Sequence, residues 1–364
     1  MAAAPAPFVL KVPESALEDL RERLARTRFP DEPPLEPWST GTSLAYLRDL
    51  VAYWRTGFDW RAHEKTLNAF GQYRLPLAGI DLHFIHQRGG PIPLLLLHGW
   101  PGSVWEFHRL IPRLTEHFTV VAPSLPGFTL SFAPGQRRFG TVEMADAFVE
   151  LMSALGYRRF CVQGGDWGAS IATRMGFAHA ERVIGIHLNM LVIPRDPSLV
   201  PATPEEVAYL AQLRHFMKDG MGYQWIQGTR PQTLAYGLTD SPAGLAAWIA
   251  EKFRAWSDTP PGRDDLLANT SLYWFTGAIG SSFWPYYARM QQGWPIPEGR
   301  TINVPAGYAE FPKEILSPPR SLAAKTYARL ERWTRMAKGG HFAALEQPEA
   351  LAAEIEQFFR PLAG

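Results

Sequence analysis

Gly164-Gly165-Asp166-Trp167-Gly168 follows the partly apolar run Arg159-Phe160-Cys161-Val162-Gln163 and opens the helix-like segment Ala169-Ser170-Ile171-Ala172-Thr173-Arg174-Met175. The order is strand, sharp turn, helix. Flanking glycines permit a tight turn that pushes the central side chain into the open at the end of a sheet strand. In the pattern Gly-x-Ser-x-Gly the central serine is a nucleophile. Here the centre is Asp166. A carboxylate in that place can attack carbon and leave an ester bound to the protein. The chemistry then changes from acyl transfer to displacement at an alkyl carbon. Taken alone, five such residues also suit an ordinary Gly/Asp turn, so the rest of the chain has to carry the reading.

On both sides of this stretch the pattern is that of a parallel sheet. Arg74-Leu75-Pro76-Leu77 and Ile80-Asp81-Leu82-His83-Phe84-Ile85-His86 read as short strands joined by Ala78-Gly79. Residues 94–97 are four leucines, as in a strand buried on both faces. Residues 118–123, 160–163 and 183–189 read as further strands, and the helix between Asp166 and the last completes a strand–helix–strand unit. From 194 to about 294 a helical, aromatic-rich stretch interrupts the alternation. Strand character returns at 301–307, and residues 349–359 form an amphipathic helix. Before the sheet, residues 12 to about 70 are mainly helical, with Leu17, Leu20 and Leu24 at helical spacing. The expected architecture is an α/β fold with a mostly parallel sheet. Residues 1–77 form an N-terminal helical meander, 78–193 and 300–364 the core, and 194–299 a helical cap.

Composition excludes several classes. With 46 % hydrophobic and 20 % charged residues among 364, the chain can bury a full core. A formal net charge of +1 offers no footprint for nucleic acid or an anionic membrane. Cys161 is the only cysteine, so no intramolecular disulfide can form, and it reads as a small buried hydrophobe on a strand. The apolar run at 92–97 is far too short to cross a bilayer. These features predict a soluble, cytoplasmic protein.

An aspartate nucleophile needs a second step, in which water hydrolyses the ester. That calls for a base, normally a histidine oriented by a carboxylate. His341, in Lys338-Gly339-Gly340-His341-Phe342, is the only histidine after His215 and follows the order nucleophile, acid, histidine. Glu310 and Glu314 both follow the 301–307 strand, and spacing alone does not choose between them. His98-Gly99-Trp100-Pro101-Gly102 follows the leucine strand, so the backbone N–H groups of Trp100 and Trp167 are candidates for an oxyanion site. His98 itself suits a loop-shaping hydrogen bond. If the electrophile is an epoxide, its alkoxide leaving group needs an acid, and the cap supplies Tyr209, Tyr223, Tyr236, Tyr273, Tyr286 and Tyr287.

Together these motifs resemble the epoxide hydrolases of the α/β-hydrolase fold, specifically the microsomal-type branch with an N-terminal meander. The likeness runs from Phe8-Val9-Leu10-Lys11-Val12-Pro13 through the oxyanion motif and the elbow to Gly339-Gly340-His341-Phe342-Ala343-Ala344. It implies Asp166 as nucleophile, His341 as base and no cofactor or metal. The family's Phe-Pro-x-Glu segment falls on Phe311-Pro312-Lys313-Glu314, which favours Glu314. Its two cap tyrosines fall on Tyr223 and on Tyr286, the latter with Tyr287 beside it. The implied reaction opens an epoxide to a vicinal diol, and a dehalogenase using the same aspartate is the alternative. The implied partners are a small-molecule epoxide and water, with no nucleic acid and no membrane anchor, since nothing before Phe8 matches the microsomal anchor. Pairing into a homodimer is left open.

Overall fold

The four leucines of 94–97 lie at the centre of a nine-stranded sheet and are almost fully buried. A computed structural model describes residues 4–363. Its strands are β1 (Ala6–Pro7), β2 (Gln72–Leu77), β3 (Ile80–Gln87), β4 (Ile92–Leu97), β5 (Phe118–Pro123), β6 (Phe160–Gly164), β7 (Val183–Leu188), β8 (Ala306–Glu310) and β9 (Leu330–Arg335). The sheet order is β1-β2-β3-β5-β4-β6-β7-β8-β9. Pairing is antiparallel from β1 to β5 and parallel from β5 to β9. Central strands β5 and β6 are buried at every residue, because helices cover both faces. Each leucine of β4 contributes about 1.5–3 kcal/mol by burial.

The elbow depends on missing side chains. A Cβ at Gly164 would meet the Gly168 carbonyl carbon at 2.4 Å, and one at Gly168 would meet the Leu97 carbonyl oxygen at 2.1 Å. Only glycine lets helix Asp166–Ala178 start this close to β4 and β6. Asp166 itself has φ 50°, an uncommon conformation for a residue with a side chain.

Between β7 and β8 the chain forms a helical layer over the ends of the strands. It includes helices Pro204–His215, Gly222–Thr229, Pro242–Trp256, Arg263–Thr276 and Trp284–Gln292. Ser241 accepts the Gly244 N–H and starts the third of these ahead of Pro242. The N-terminal helices Glu14–Ala25 and Leu44–Thr56 dock on this layer. Leu17, Leu20 and Leu24 are buried there. Trp54 Nε1 donates to Ser271 Oγ at 3.2 Å, Tyr53 Oη to Asp264 Oδ1 at 2.6 Å, and Arg23 pairs with Asp240 at 3.0 Å.

Three features differ from expectation. The strand foreseen at 301–307 is displaced to β8, and Ile302 makes only an isolated bridge to Tyr327. Pro305 has no N–H to give a ladder, although its carbonyl accepts the Ile186 N–H at 2.9 Å. The edge strand β9 was not foreseen, because Leu-Glu-Arg-Trp-Thr-Arg has only half-buried or exposed side chains after Leu330, three of them charged. Finally, β1 pairs with β2 and β2 with β3 along its length, so the sheet takes in residues ahead of the boundary expected at 77/78. Among the described residues no helix is long and apolar enough to cross a membrane.

Candidate active site

The ends of β4, β6, β8 and β9 bring four loops together under the helical layer, as sheets of this type do at the carboxyl ends of their strands. The loop after β4 carries Trp100, whose backbone N–H donates to Asp166 Oδ1 at 2.8 Å. The loop after β9 carries His341, whose Nε2 lies 3.5 Å from Asp166 Oδ2. On its other side, His341 Nδ1 donates to Glu314 Oε1 at 2.6 Å. Glu314 is held in turn by the N–H of Ile315 at 2.7 Å. Glu310 points elsewhere: it accepts from Trp333 Nε1 at 2.8 Å and pairs with Arg335. Glu310 ends β8 and Glu314 lies just beyond it, and only Glu314 meets the histidine.

His341 is buried. Burial opposes its protonation, but the charge of Glu314 and the hydrogen bonds with Asp166 and Glu314 outweigh that and raise its pKa well above the ordinary value. The backbone fixes the loop as well, with the His341 N–H on the Trp256 carbonyl at 2.9 Å. His98 is engaged at both ring nitrogens: Nδ1 faces the Gly99 carbonyl at 3.0 Å and Nε2 accepts the Leu125 N–H at 3.1 Å. Burial pushes its pKa down to about 4. It is a neutral, loop-shaping residue. Cys161 is fully buried on β6, which pushes its thiol pKa up.

Tyr223 and Tyr286 come from two helices, Gly222–Thr229 and Trp284–Gln292, and face the same cavity as Asp166. Their rings lie 5.7 Å apart, and Trp100 stacks on Tyr223 at 5.4 Å. Tyr223 Oη accepts from Gln224 at 2.9 Å, while the Tyr286 hydroxyl is buried with no protein partner. Burial first, and the charge of Asp166 as well, hold both phenols protonated above their ordinary pKa. Tyr287 instead packs on Trp284, outside that cavity. Of the other cap tyrosines, Tyr236 is exposed and Tyr209 lines the cavity away from these two.

Two features went unforeseen, the first a loop-holding role for Tyr273, one of the candidate cap tyrosines. Tyr273 Oη donates to the Gly102 carbonyl at 2.6 Å, and Asn269 joins the Pro101 carbonyl at 2.8 Å to Ser103 Oγ at 2.7 Å. Helix Arg263–Thr276 thus pins the Trp100 loop. The second is Glu106, which lines a small cavity of about 20 Å³ together with Asp166 and His341. A Cβ at Gly102 would lie 1.3 Å from Glu106 Oε1, so this glycine makes room for the carboxyl group. Burial pushes the Glu106 pKa up to about 8, against the pull of His341. The signal in the sequence was a lone Glu four residues after a Pro-Gly pair, which by itself looks like any acidic residue of a short helix.

Comparison with known proteins shows the family. The family described as epoxide hydrolase N terminus matches residues 5–107, and the alpha/beta hydrolase fold matches residues 92–263. A putative epoxide hydrolase of Stigmatella aurantiaca is 43 % identical, over 98 % of this chain and 85 % of its own. The chain belongs to the epoxide hydrolases. Epoxide hydrolase 1 of Oryctolagus cuniculus is 36 % identical over 97 % of this chain and 88 % of its own. The Aspergillus niger epoxide hydrolase superposes with a TM-score of 0.88 at 31 % identity, covering 99 % of this chain and 97 % of that one. The juvenile hormone epoxide hydrolase of Bombyx mori superposes at 0.90 with 30 % identity, covering 100 % and 95 %. The protein is therefore an enzyme of the α/β-hydrolase fold that hydrolyses epoxides.

Proposed function

We propose that this enzyme opens its epoxide through a covalent ester on Asp166 and releases a vicinal diol with a water activated by His341. The observation that carries the reading is the chain of contacts from Glu314 through His341 to Asp166, at 2.6 and 3.5 Å. Oδ1 of Asp166 already accepts the Trp100 N–H, which leaves Oδ2 as the attacking atom. Oδ2 forms a bond to one ring carbon. The carbon–oxygen bond breaks, its electron pair stays on oxygen, and Tyr223 and Tyr286 donate to the alkoxide. Loss of the Asp166 charge removes one cause of the raised pKa of His341, so the imidazole can then accept a proton from water. The hydroxide attacks Cγ of the ester, and negative charge gathers on Oδ1. Trp100 N–H stabilises it, and Trp167 N–H, in the first turn of helix Asp166–Ala178, is free to do the same. Collapse breaks the Cγ–Oδ2 bond; the leaving diol oxygen takes the proton of the added hydroxyl, the carboxylate is restored, and the proton on His341 replaces the one the phenols gave to the alkoxide.

The hydrolytic water is assigned to the small cavity beside Glu106. Its volume of about 20 Å³ suits a single water molecule. A Glu106 that keeps its proton to about pH 8 can hold that water by hydrogen bonding without competing with His341 as the base. Segment 194–299 acts as the cap that supplies the tyrosines, and the N-terminal helices support it. No cofactor takes part in this scheme.

The test is a single turnover in heavy-oxygen water with enzyme in excess. The diol of the first turnover should carry an unlabelled oxygen from Asp166, and Asp166→Ala should lose turnover while staying folded. A first diol oxygen drawn directly from solvent would refute the covalent route.

A further inference from the structure

The cavity that holds Asp166, Tyr223 and Tyr286 has a volume of about 420 Å³ and continues away from them along mostly apolar walls, including Leu191, Ile193, Met221 and Leu316. Two arginines also line it, Arg195 and Arg289. Among the described residues neither makes an ion pair. Arg289 is half-buried, with its guanidinium 4.8 Å from the centre of the Trp294 ring. Arg195 reaches Met221 Sδ at 3.6 Å through Nη1. Its neighbour Asp196 makes no ion pair with it, and that carboxylate accepts from Ser198 N and Oγ at 2.9 and 2.6 Å. Burial, and then the charge of Arg195, lower the pKa of Arg289. Arg195 is exposed and Arg289 half-buried, and apart from Asp166 no acid lines the cavity, so an anion entering it would find both guanidinium groups without an ion-pair partner.

Arg289 also stands at a set distance from the chemistry. It follows Tyr286 by three residues on helix Trp284–Gln292, so the two share a face with Cβ atoms about 5–6 Å apart. A substrate whose oxygen rests on Tyr286 can therefore lay its far end on the guanidinium. We propose that Arg195 and Arg289 bind the carboxylate of an acidic epoxide, whose hydrocarbon spacer fills the apolar stretch between them and Asp166. A planar guanidinium pairs with a carboxylate through two parallel hydrogen bonds. A monoanion suits a half-buried site better than a phosphate, whose second charge adds desolvation cost. This specificity rests on the epoxide-opening reading above.

The experiment compares terminal epoxyalkanoates with their methyl esters. Spacers of about four to eight methylenes match one helical turn plus two extended side chains. Charge-assisted hydrogen bonds are worth about 1.5–3 kcal/mol, so kcat/KM for the acid should exceed that for the ester about tenfold or more. Salt at about 1 M should pull this ratio toward one. R195Q/R289Q should bring the ratio to about one at low salt, and R289K should keep part of it. The ratio cancels general damage, because both substrates meet the same Asp166 and tyrosines. Should the double variant fail to fold, R195Q and R289K alone carry the comparison. A wild-type ratio of one or less, or a ratio unmoved by the substitutions, overturns the proposal. Styrene oxide runs alongside as a neutral substrate: its turnover with no acid preference sinks only the carboxylate site, whereas failure on every epoxide sinks the reaction as well.

Discussion

Asp166 combines a positive φ with a side chain that meets two groups at once. Such a backbone costs about 1–3 kcal/mol and persists only where its surroundings over-determine it. Here Gly164 and Gly168 permit the turn, and the Trp100 N–H and His341 fix the carboxylate. His341 acts after Asp166 in the proposed scheme, so the two half-reactions separate by substitution. His341→Gln should leave ring opening intact and stop hydrolysis. Mass spectrometry with excess epoxide should then find one substrate mass added to the peptide containing Asp166. Glu314→Gln should slow hydrolysis less completely, because Glu314 orients and charges the imidazole without touching the ester. An active His341→Gln protein with no adduct would require another base. His98 is a poor substitute, since both of its ring nitrogens are committed.

Two elements set the geometry of the reaction from above. Helices Gly222–Thr229 and Trp284–Gln292 pack together and carry the two tyrosines. Each Tyr→Phe change should slow alkylation by roughly 10- to 100-fold, and the double change should be far worse, because each hydroxyl supports the same developing charge. Stopped-flow tryptophan fluorescence of ring opening is the measurement, with Trp100 and Trp167 beside the site. Unaltered ring opening in the double variant would remove both from the mechanism. Helix Arg263–Thr276 acts differently, by gripping the Trp100 loop through Asn269 and Tyr273. Asn269→Leu leaves the Pro101 carbonyl and the Ser103 hydroxyl without their partner, at about 1–3 kcal/mol for each unsatisfied group. It should lower Tm by several degrees and slow both half-reactions, since the Trp100 N–H serves each in the proposed scheme. Loss of stability with unchanged turnover would show that the loop holds its shape without this grip.

At the scale of the whole molecule, buried ionisable groups make stability depend on pH in opposite directions. Glu106 has its pKa raised from 4.5 to about 8, so the folded protein keeps a proton that the unfolded chain has released between those values. Its contribution to stability is complete below about 4.5 and is lost as pH rises through about 8. Burial holds His83, His98 and His187 neutral, with pKa values lowered to about 3, 4 and 4. Their contribution is present above the ordinary 6.5 and is lost as pH falls toward those values. Glu106→Gln isolates the first effect. The Tm of the variant relative to wild type should rise steadily from pH 5 to pH 9, as differential scanning fluorimetry over that range will reveal. A difference independent of pH would mean that Glu106 ionises freely in the folded protein.

The core strands, the elbow and the histidine loop were legible in the sequence because their signals are local. Four leucines in a row, glycines flanking one aspartate, and Gly-Gly-His each fit within one element or turn. The choice of Glu314 over Glu310 needed either the family's Phe-Pro-x-Glu pattern or the fold. Glu310 ends β8 and Glu314 follows it, and only the path of the chain after Phe311 turns one toward His341 and leaves the other on Trp333. β9 was invisible because an edge strand need not bury its side chains in alternation. Glu106, Asn269 and Tyr273 lie 60 residues before Asp166 or 100 and more after it, on elements whose own patterns point only to packing. What local pattern determined was the proposed nucleophile, its turn and the sheet beneath it. The partners of that nucleophile come from separate strands and from the helices above them, and only tertiary packing brings them to within a few ångströms, because a burial pattern records that a side chain is covered and not what covers it.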